Sequence, residues 1–339
     1  MARGVTASVP RVLELDRVPE RMPHRDAALG QLANALDPLR SDRPAYPICI
    51  SGPTGAGKTA LSRFAVTELR RETAVNTAHV DCLRTRSRAA ILEEALVDAD
   101  LKTRSSPKAN AASSYLAQIE DADSPIVLTL DEAEHIEDEH LPHVLFETDG
   151  VTPIFVVHEY ERFAARLDSA TASRLRTGPH IELDRYSQRE LVDILQARVD
   201  AGDLSGITGG TLEVIADTAA GNAREAISIL REAYVEGEAR DERVTPALIG
   251  DVREPAMESI RRYNVERLDT PHRLLKHMID DAGKIRAGDL ADLFEVEYPD
   301  ADGRDRRRYL NVLVRYGCIR KQGSGRGTRY LSISGSEDA

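Results

Sequence analysis

Gly52-Pro53-Thr54-Gly55-Ala56-Gly57-Lys58-Thr59 sets three glycines, a lysine and a hydroxyl in the order G-x-x-x-x-G-K-[ST]. That chemistry suits phosphate. Gly52, Gly55 and Gly57 permit backbone angles and a close approach that side chains would block. Successive N–H groups can then converge on an anion, with Lys58 reaching the outer phosphates and Thr59 offering its hydroxyl to Mg²⁺. A second reactive pair, Asp131-Glu132, closes the apolar run Pro125-Ile126-Val127-Leu128-Thr129-Leu130, 73 positions beyond Lys58. Asp131 would hold the Mg²⁺ shell, and Glu132 would orient or deprotonate an attacking water. An acidic strand end is common alone. Paired with the glycine loop, it reads as the second anchor (Walker B) of a nucleoside triphosphatase.

The flanks supply the elements that must position these groups. Residues 46–51, around Ile48, Cys49 and Ile50, read as a buried strand, and 60–71 follow with Leu61, Phe64, Ala65 and Leu69 at helical spacing. Strand, loop and helix in that order aim a helix N-terminus at the anion. Further strands are expected over 78–82, 152–157 and 179–183, with helices over 87–99 and 113–120 between them. Strands alternating with helices predict a parallel sheet covered on both faces. From Ser187 the chain turns all-helical. Ser187-Gln188-Arg189-Glu190 is a capping box, Asn222 caps a helix over 223–237, and Thr245-Pro246 opens another.

Composition sets bounds. At 339 residues, 41% hydrophobic and 30% charged, the chain has room for two or three ordinary domains. No apolar run approaches a membrane span and the first twenty residues lack an apolar signal core, so a cytoplasmic protein is expected. Cys49, Cys82 and Cys318 are scattered and read as buried free thiols. Glu134, His135, His140 and His143 have no trusted metal-ligand spacing around Pro142, and a solvated face is the expectation. The net charge of −12 excludes nucleic-acid binding spread over the whole surface. Only six lysines are present, so nearly all basic residues are arginine, as in a salt-adapted or GC-rich host.

The C-terminal stretch breaks the acidic balance. Nine basic residues against Asp305 lie between Arg304 and Arg329. A helix over 304–316 would bury Tyr309, Val312, Leu313 and Tyr316 and turn Arg304, Arg308, Asn311 and Arg315 outward, with Arg307 beside them. Segments 318–322 and 328–333 flank Gly323-Ser324-Gly325-Arg326-Gly327, two strands around a glycine tip. Apolar inward and basic outward, with a wing behind, is the pattern of a helix that enters a DNA major groove. Arg304, Arg307, Arg308, Asn311, Arg315, Arg326 and Arg329 are the candidate DNA contacts.

Val18-Pro19 with His24-Arg25, then the glycine loop, Asp81-Cys82, Asp131-Glu132, Leu167-Asp168, Ser173-Arg174 and Gly221-Asn222-Ala223-Arg224 follow in one order. Over residues 16–333 the chain resembles the archaeal origin-recognition (Orc/Cdc-type) replication initiators of the AAA+ class, as a divergent paralogue. The resemblance implies an α/β fold: a phosphate-loop αβα base over 18–184, an all-helical lid over 185–252 and a winged-helix domain over 253–335, after a flexible arm over 1–17. It implies ATP or ADP with Mg²⁺, and it adds Val18, Pro19, His24 and Arg25 to the loop residues that hold nucleotide. Arg224 falls on the lid arginine that senses the γ-phosphate, and Arg174 near the arginine that serves a neighbouring subunit. Origin-like duplex DNA is the implied partner, with other initiator subunits or a replicative helicase beside it and no membrane.

Two departures qualify the expected slow, switch-like ATPase. Where family members carry an asparagine that positions water, this chain has His158 or Glu159; a histidine can donate a hydrogen bond and an ionised glutamate cannot. The family's DNA-contacting helical insertion is short and acidic here, Glu137-Asp138-Glu139, and repels phosphate. A nucleotide-gated DNA-binding regulator with weak or no ATPase activity is the alternative. A clamp-loader subunit would explain the ATPase core but not the basic wing.

Overall fold

The computed structural model describes residues 9–41, 43–102, 111–299 and 302–333. They divide into two compact units, Met1–Met257 and Glu258–Ala339.

In the first unit, α1 (Asp26–Leu36) precedes β1 (Ile48–Ser51), α2 (Lys58–Glu72), β2 (Asn76–Asp81), α3 (Arg88–Asp98), α4 (Ala112–Glu120) and β3 (Ile126–Asp131). Then come α5 (Leu141–Glu147), β4 (Val151–Val157), α6 (Tyr160–Ala164), α7 (Ser169–Thr177) and β5 (His180–Glu182). The strands form one parallel sheet in the order β2-β3-β4-β1-β5. β1, β3 and β4 are buried along their whole length, as central strands covered on both faces must be. Alternation sends Ile48, Ile50, Val127, Ile154 and Val156 into one core with Leu32 and Leu36 of α1 and Leu61 and Leu69 of α2. Cys49, Leu128, Leu130 and Phe155 enter the other, with Ile91 and Leu92 of α3, Ile119 of α4 and Leu145 of α5. The predicted αβα base is the result.

Register then does the positioning. Ser51 pairs with Val157 and Asp131 with Val156, so β1, β3 and β4 end at one edge of the sheet. The glycine loop, Asp131-Glu132 and His158 all leave from that edge, where open parallel sheets hold their ligands.

Four helices follow: α8 (Gln188–Ala201), α9 (Gly209–Ala219), α10 (Ala223–Arg240) and α11 (Pro246–Glu266). The Ser187–Glu190 capping box forms and starts α8. Val252 and Ala256 of α11 both enter the core built from α8, α9 and α10, so the first unit runs a few residues past 252, to Met257. Residues 9–17 of the arm are not loose. Arg11–Leu13 forms a 3-10 turn, and Leu13 is fully buried in that same helical core. All three cysteines are free and buried.

The second unit contains α12 (Thr270–Ala282), β6 (Lys284–Arg286), α13 (Ala287–Glu297), α14 (Gly303–Arg315), β7 (Ile319–Gln322) and β8 (Arg329–Ser332). Its antiparallel sheet has the order β6-β8-β7. Three helices with a β7–β8 hairpin make the winged-helix arrangement. Among the described residues, no helix is long and apolar enough to cross a membrane.

Candidate nucleotide site and nucleic-acid interface

The glycine loop is held open by its own backbone. Gly52 has φ 145° and Gly55 has φ 80°, the left-handed side that glycine adopts without strain. A Cβ at Gly52 would fall 2.2 Å from the Leu183 carbonyl oxygen, and one at Gly55 would fall 1.8 Å from Asn222 Oδ1. α2 begins at Lys58, so its unpaired N-terminal amides face the loop. Lys58 Nζ donates to the carbonyls of Gly52 (2.8 Å) and Pro53 (3.1 Å). Burial pushes its ammonium below the ordinary lysine value, against the pull of Glu132, Asp131 and Glu134.

Across the edge, the buried Asp131 accepts a hydrogen bond from Thr59 Oγ1 at 2.8 Å. A hydroxyl and a carboxylate so placed are hard oxygen donors, the set Mg²⁺ prefers, and the loop keeps glycine where a Cβ would strike Leu183, Asn222 or Tyr186. Both groups therefore fit the ligands that the sequence implies. Glu132 follows in left-handed backbone, φ 55° and ψ 41°, a conformation that costs a non-glycine residue energy and turns the chain sharply after β3. Donor atoms of Glu132, Glu134 and His135 lie within 4.8 Å of one another, and His135 is buried, so it does not belong to a solvated face.

Of the two residues at the expected asparagine place, Glu159 is exposed and His158 turns inward. His158 Nδ1 lies 3.1 Å from the Gly52 carbonyl oxygen, the same atom that Lys58 engages. Its backbone N–H donates to Glu134 Oε1 at 3.3 Å.

A cavity of about 480 Å³ opens beside the loop, lined by Thr54, Gly55, Gly57, Lys58, Thr59 and Glu132 from the base. Ile194, Arg198 and Arg224 line it from the helical part, with Val12, Leu15, Arg17, Pro19 and Arg21 from the N-terminal segment. Five cations (Arg17, Arg21, Lys58, Arg198 and Arg224) face three acids (Glu20, Glu132 and Asp200) there. The cavity is thus basic within an acidic chain. Asn222 caps α10 by accepting from the N–H groups of Arg224 (3.1 Å) and Glu225 (3.3 Å), which sets Arg224 on the first turn facing the loop.

The four lead-in residues separate. Pro19 lines the cavity, whereas Val18 is half-buried outside it. His24 pairs at 2.8 Å with Asp193 of α8. Arg25 is buried behind the loop, where its Nη2 donates to the carbonyls of Ala56 and Asp184, each at 2.9 Å, and its guanidinium stacks 3.8 Å over the Tyr186 ring. It braces the loop from behind and does not line the cavity. Arg174 lies outside this cavity, ion-paired with Glu147 and 5.5 Å over the Phe146 ring. The structure does not bring it to the chain's own site.

Arg17, Arg21, Tyr186 and Arg198 line the cavity without having been singled out from sequence. Arg198 donates to the Val12 carbonyl, and burial first, then the charge of Arg17, lowers its guanidinium to about 10. Only the Val-Pro lead-in hinted that an N-terminal wall exists. The acidic segment is tied down by arginines: Glu137 to Arg86 (3.6 Å), Asp138 to Arg88 (2.5 Å) and Glu139 to Arg166 (3.2 Å).

In the second unit, Asp302 caps α14, accepting from the N–H of Arg304 (2.6 Å) and Asp305 (2.9 Å). Tyr309, Leu310, Val312 and Leu313 are buried, while Arg304, Arg307, Asn311 and Arg315 are exposed. Arg308 departs from the expected outward face: it is half-buried and paired with Asp305 at 2.9 Å, its i−3 neighbour. Arg329 lies half-buried on β8, and the side chain of Arg326 lies outside the described residues.

Comparison with known proteins agrees with this geometry. Residues 41–165 match the family described as an AAA domain. The ORC1-type DNA replication protein 9 of Halobacterium salinarum is 31% identical over 332 residues, covering 95% of this chain and 93% of that protein. Among solved structures, the Aeropyrum pernix ORC1 protein in complex with DNA superposes with a TM-score of 0.70 at 21% identity, over 95% of this chain and 92% of that one. The ADP form of the Aeropyrum pernix ORC2 protein gives 0.63 at 20% identity, over 96% and 94%. At those identities the two structures speak for the fold, an AAA+ base and lid with a winged helix.

Proposed function

This chain belongs to the family of ORC1-type DNA replication proteins, and from that premise we propose that it is an ATP-controlled, origin-type duplex-DNA-binding protein. One observation carries the reading: Lys58, Thr59 and Glu132 from the base and Arg224 from the lid line a single cavity. A triphosphate held there would touch both parts at once, so its loss would alter how base and lid sit together.

Roles follow from the residues. The loop amides and Lys58 hold phosphate oxygens, and Arg224 adds a charge from the lid. Thr59 and Asp131 would hold Mg²⁺, which supplies neutralisation of phosphate charge. Glu132 is the base for water. Arg174, exposed on α7, would serve a neighbouring subunit that docked there. On the DNA side, Arg304, Arg307, Asn311 and Arg315 form the exposed face of α14 that would enter a major groove. Most of the affinity would come from phosphates, and base readout from Arg304 or Asn311. The protein would grip DNA differently with ADP and with ATP bound. The boundaries we propose are a base over 18–184, a lid from 185 to Met257 and a winged helix thereafter.

A second reading has its own support. His158 is engaged with the Gly52 carbonyl, which favours a nucleotide-gated regulator that turns over slowly or not at all. Nucleotide affinity and phosphate release in the parent, Lys58→Ala and Glu132→Gln separate the two. We expect Lys58→Ala to lose nucleotide affinity and Glu132→Gln to keep it while losing phosphate release. Equal nucleotide affinity in Lys58→Ala and parent would remove the site assignment; no phosphate release from the parent would leave the regulator.

A further inference from the structure

Side chains alternate between the two faces of the β6-β8-β7 sheet. The pairs Ile285↔Tyr330 and Ile319↔Ser332 put Ile285, Tyr330 and Ile319 on one face, and all three are buried beneath the helices. The pairs Arg286↔Arg329, Lys284↔Leu331 and Arg320↔Leu331 send Lys284, Arg286, Arg320 and Arg329 to the opposite face. Lys284, Arg286 and Arg320 are exposed and Arg329 is half-buried. Directly opposed positions on such a sheet are about 5 Å apart, and successive same-face positions about 7 Å.

Four like charges so crowded repel, and like charges directly opposite destabilise a sheet, as at Arg286 and Arg329. Elsewhere in this unit the chain relieves such charges, Arg306 with Glu295 and Arg308 with Asp305. On this face it does not: among the described residues, no carboxylate lies within 4.0 Å of any of the four. The remaining occupants of the face are the neutral Gln322 and Leu331, so its net charge is that of the four cations.

We propose that this sheet face is a second phosphate-binding surface, taking the backbone of duplex DNA independently of the exposed face of α14. Its ligand class rests on the reading above, whereas of its residues only Arg329 is among the contacts named from sequence. The contact is electrostatic and indifferent to sequence.

The test is the salt dependence of affinity of the full chain for a short duplex of arbitrary sequence. A sheet variant (Lys284→Glu, Arg286→Glu, Arg320→Glu) is compared with a helix variant (Arg304→Ala, Arg307→Ala), with their combination and with the parent. Removing three phosphate contacts should lower the slope of log affinity against log salt by about 2 to 3. The helix variant should keep salt-dependent binding that the combination loses. Parent-like slope and affinity in the sheet variant would overturn the inference, whatever the helix variant does. So would an equal loss in Arg262→Glu with Arg273→Glu, exposed charges of the same unit that lie off the sheet. Parent-like binding by the helix variant alone would instead remove the role given to α14. Thermal melting checks folding, and alanine replacements at the same three positions serve if charge reversal prevents it.

Discussion

The backbone N–H of Ala223 donates to the carbonyl of Gly55 at 3.1 Å, so the first residue of α10 is bonded directly to the phosphate loop. Base and lid share a main-chain hydrogen bond at the point where both face the cavity. Both of its atoms are main-chain, so its geometry depends on how closely the two backbones approach.

Gly55→Ala tests that approach. The new methyl would sit 1.8 Å from Asn222 Oδ1, and φ 80° adds a strain of about 1 kcal/mol for a non-glycine residue. The lid helix must retreat. Nucleotide affinity measured by calorimetry should fall at least about tenfold, or 1.4 kcal/mol. Asn222→Gly, which clears the methyl's path, should restore part of it in the double variant.

Arg25→Ala should lower stability rather than nucleotide chemistry. The change leaves two inward-facing carbonyls, those of Ala56 and Asp184, without their donor, at a cost of about 2 to 3 kcal/mol. Arg25→Lys should not recover it, because one ammonium cannot span both oxygens and stack on Tyr186. The thermal midpoint of the first unit, followed by circular dichroism, is the measurement.

Nucleotide affinity should weaken at alkaline pH sooner than an ordinary lysine would allow. Burial lowers the Lys58 value, and phosphate needs the protonated form, so binding takes up a proton as pH rises through that lowered value. Above that lowered value affinity falls by up to about tenfold per pH unit. Lys58→Arg, which stays charged, should flatten the profile even where its affinity is lower.

On α14, Arg307→Ala should reduce the salt slope of duplex binding by about 0.9, the share of one phosphate contact. Arg308→Ala should reduce it less, since that guanidinium is already engaged by Asp305. Equal slopes for the two variants would mean that the Asp305 pair opens on DNA.

Legibility in the sequence tracked how local the cause was. β3 and β4 were readable because central parallel strands are apolar throughout, and the glycine loop because backbone geometry demands its glycines. The Arg25 clamp was not, since its partners lie 31 and 159 positions away. Residues 9–17 have no period of their own, and Leu13 is buried only because α8 and α10 supply the core around it. The Asp305–Arg308 pair was local enough to see, yet a helical wheel assigns direction from the helix axis alone and misses a partner three residues back.

The N-terminal segment adds a mechanical consequence. Leu13 is rooted among the lid helices, Val12 and Leu15 form cavity wall, and the Asp16 carbonyl accepts from Arg63 of α2 at 3.3 Å. The wall is therefore a strut pinned both to the lid helices and to α2 of the base. Under the nucleotide switch proposed above, a lid that swings would drag the wall with it, so opening the cavity and moving the lid would be one displacement.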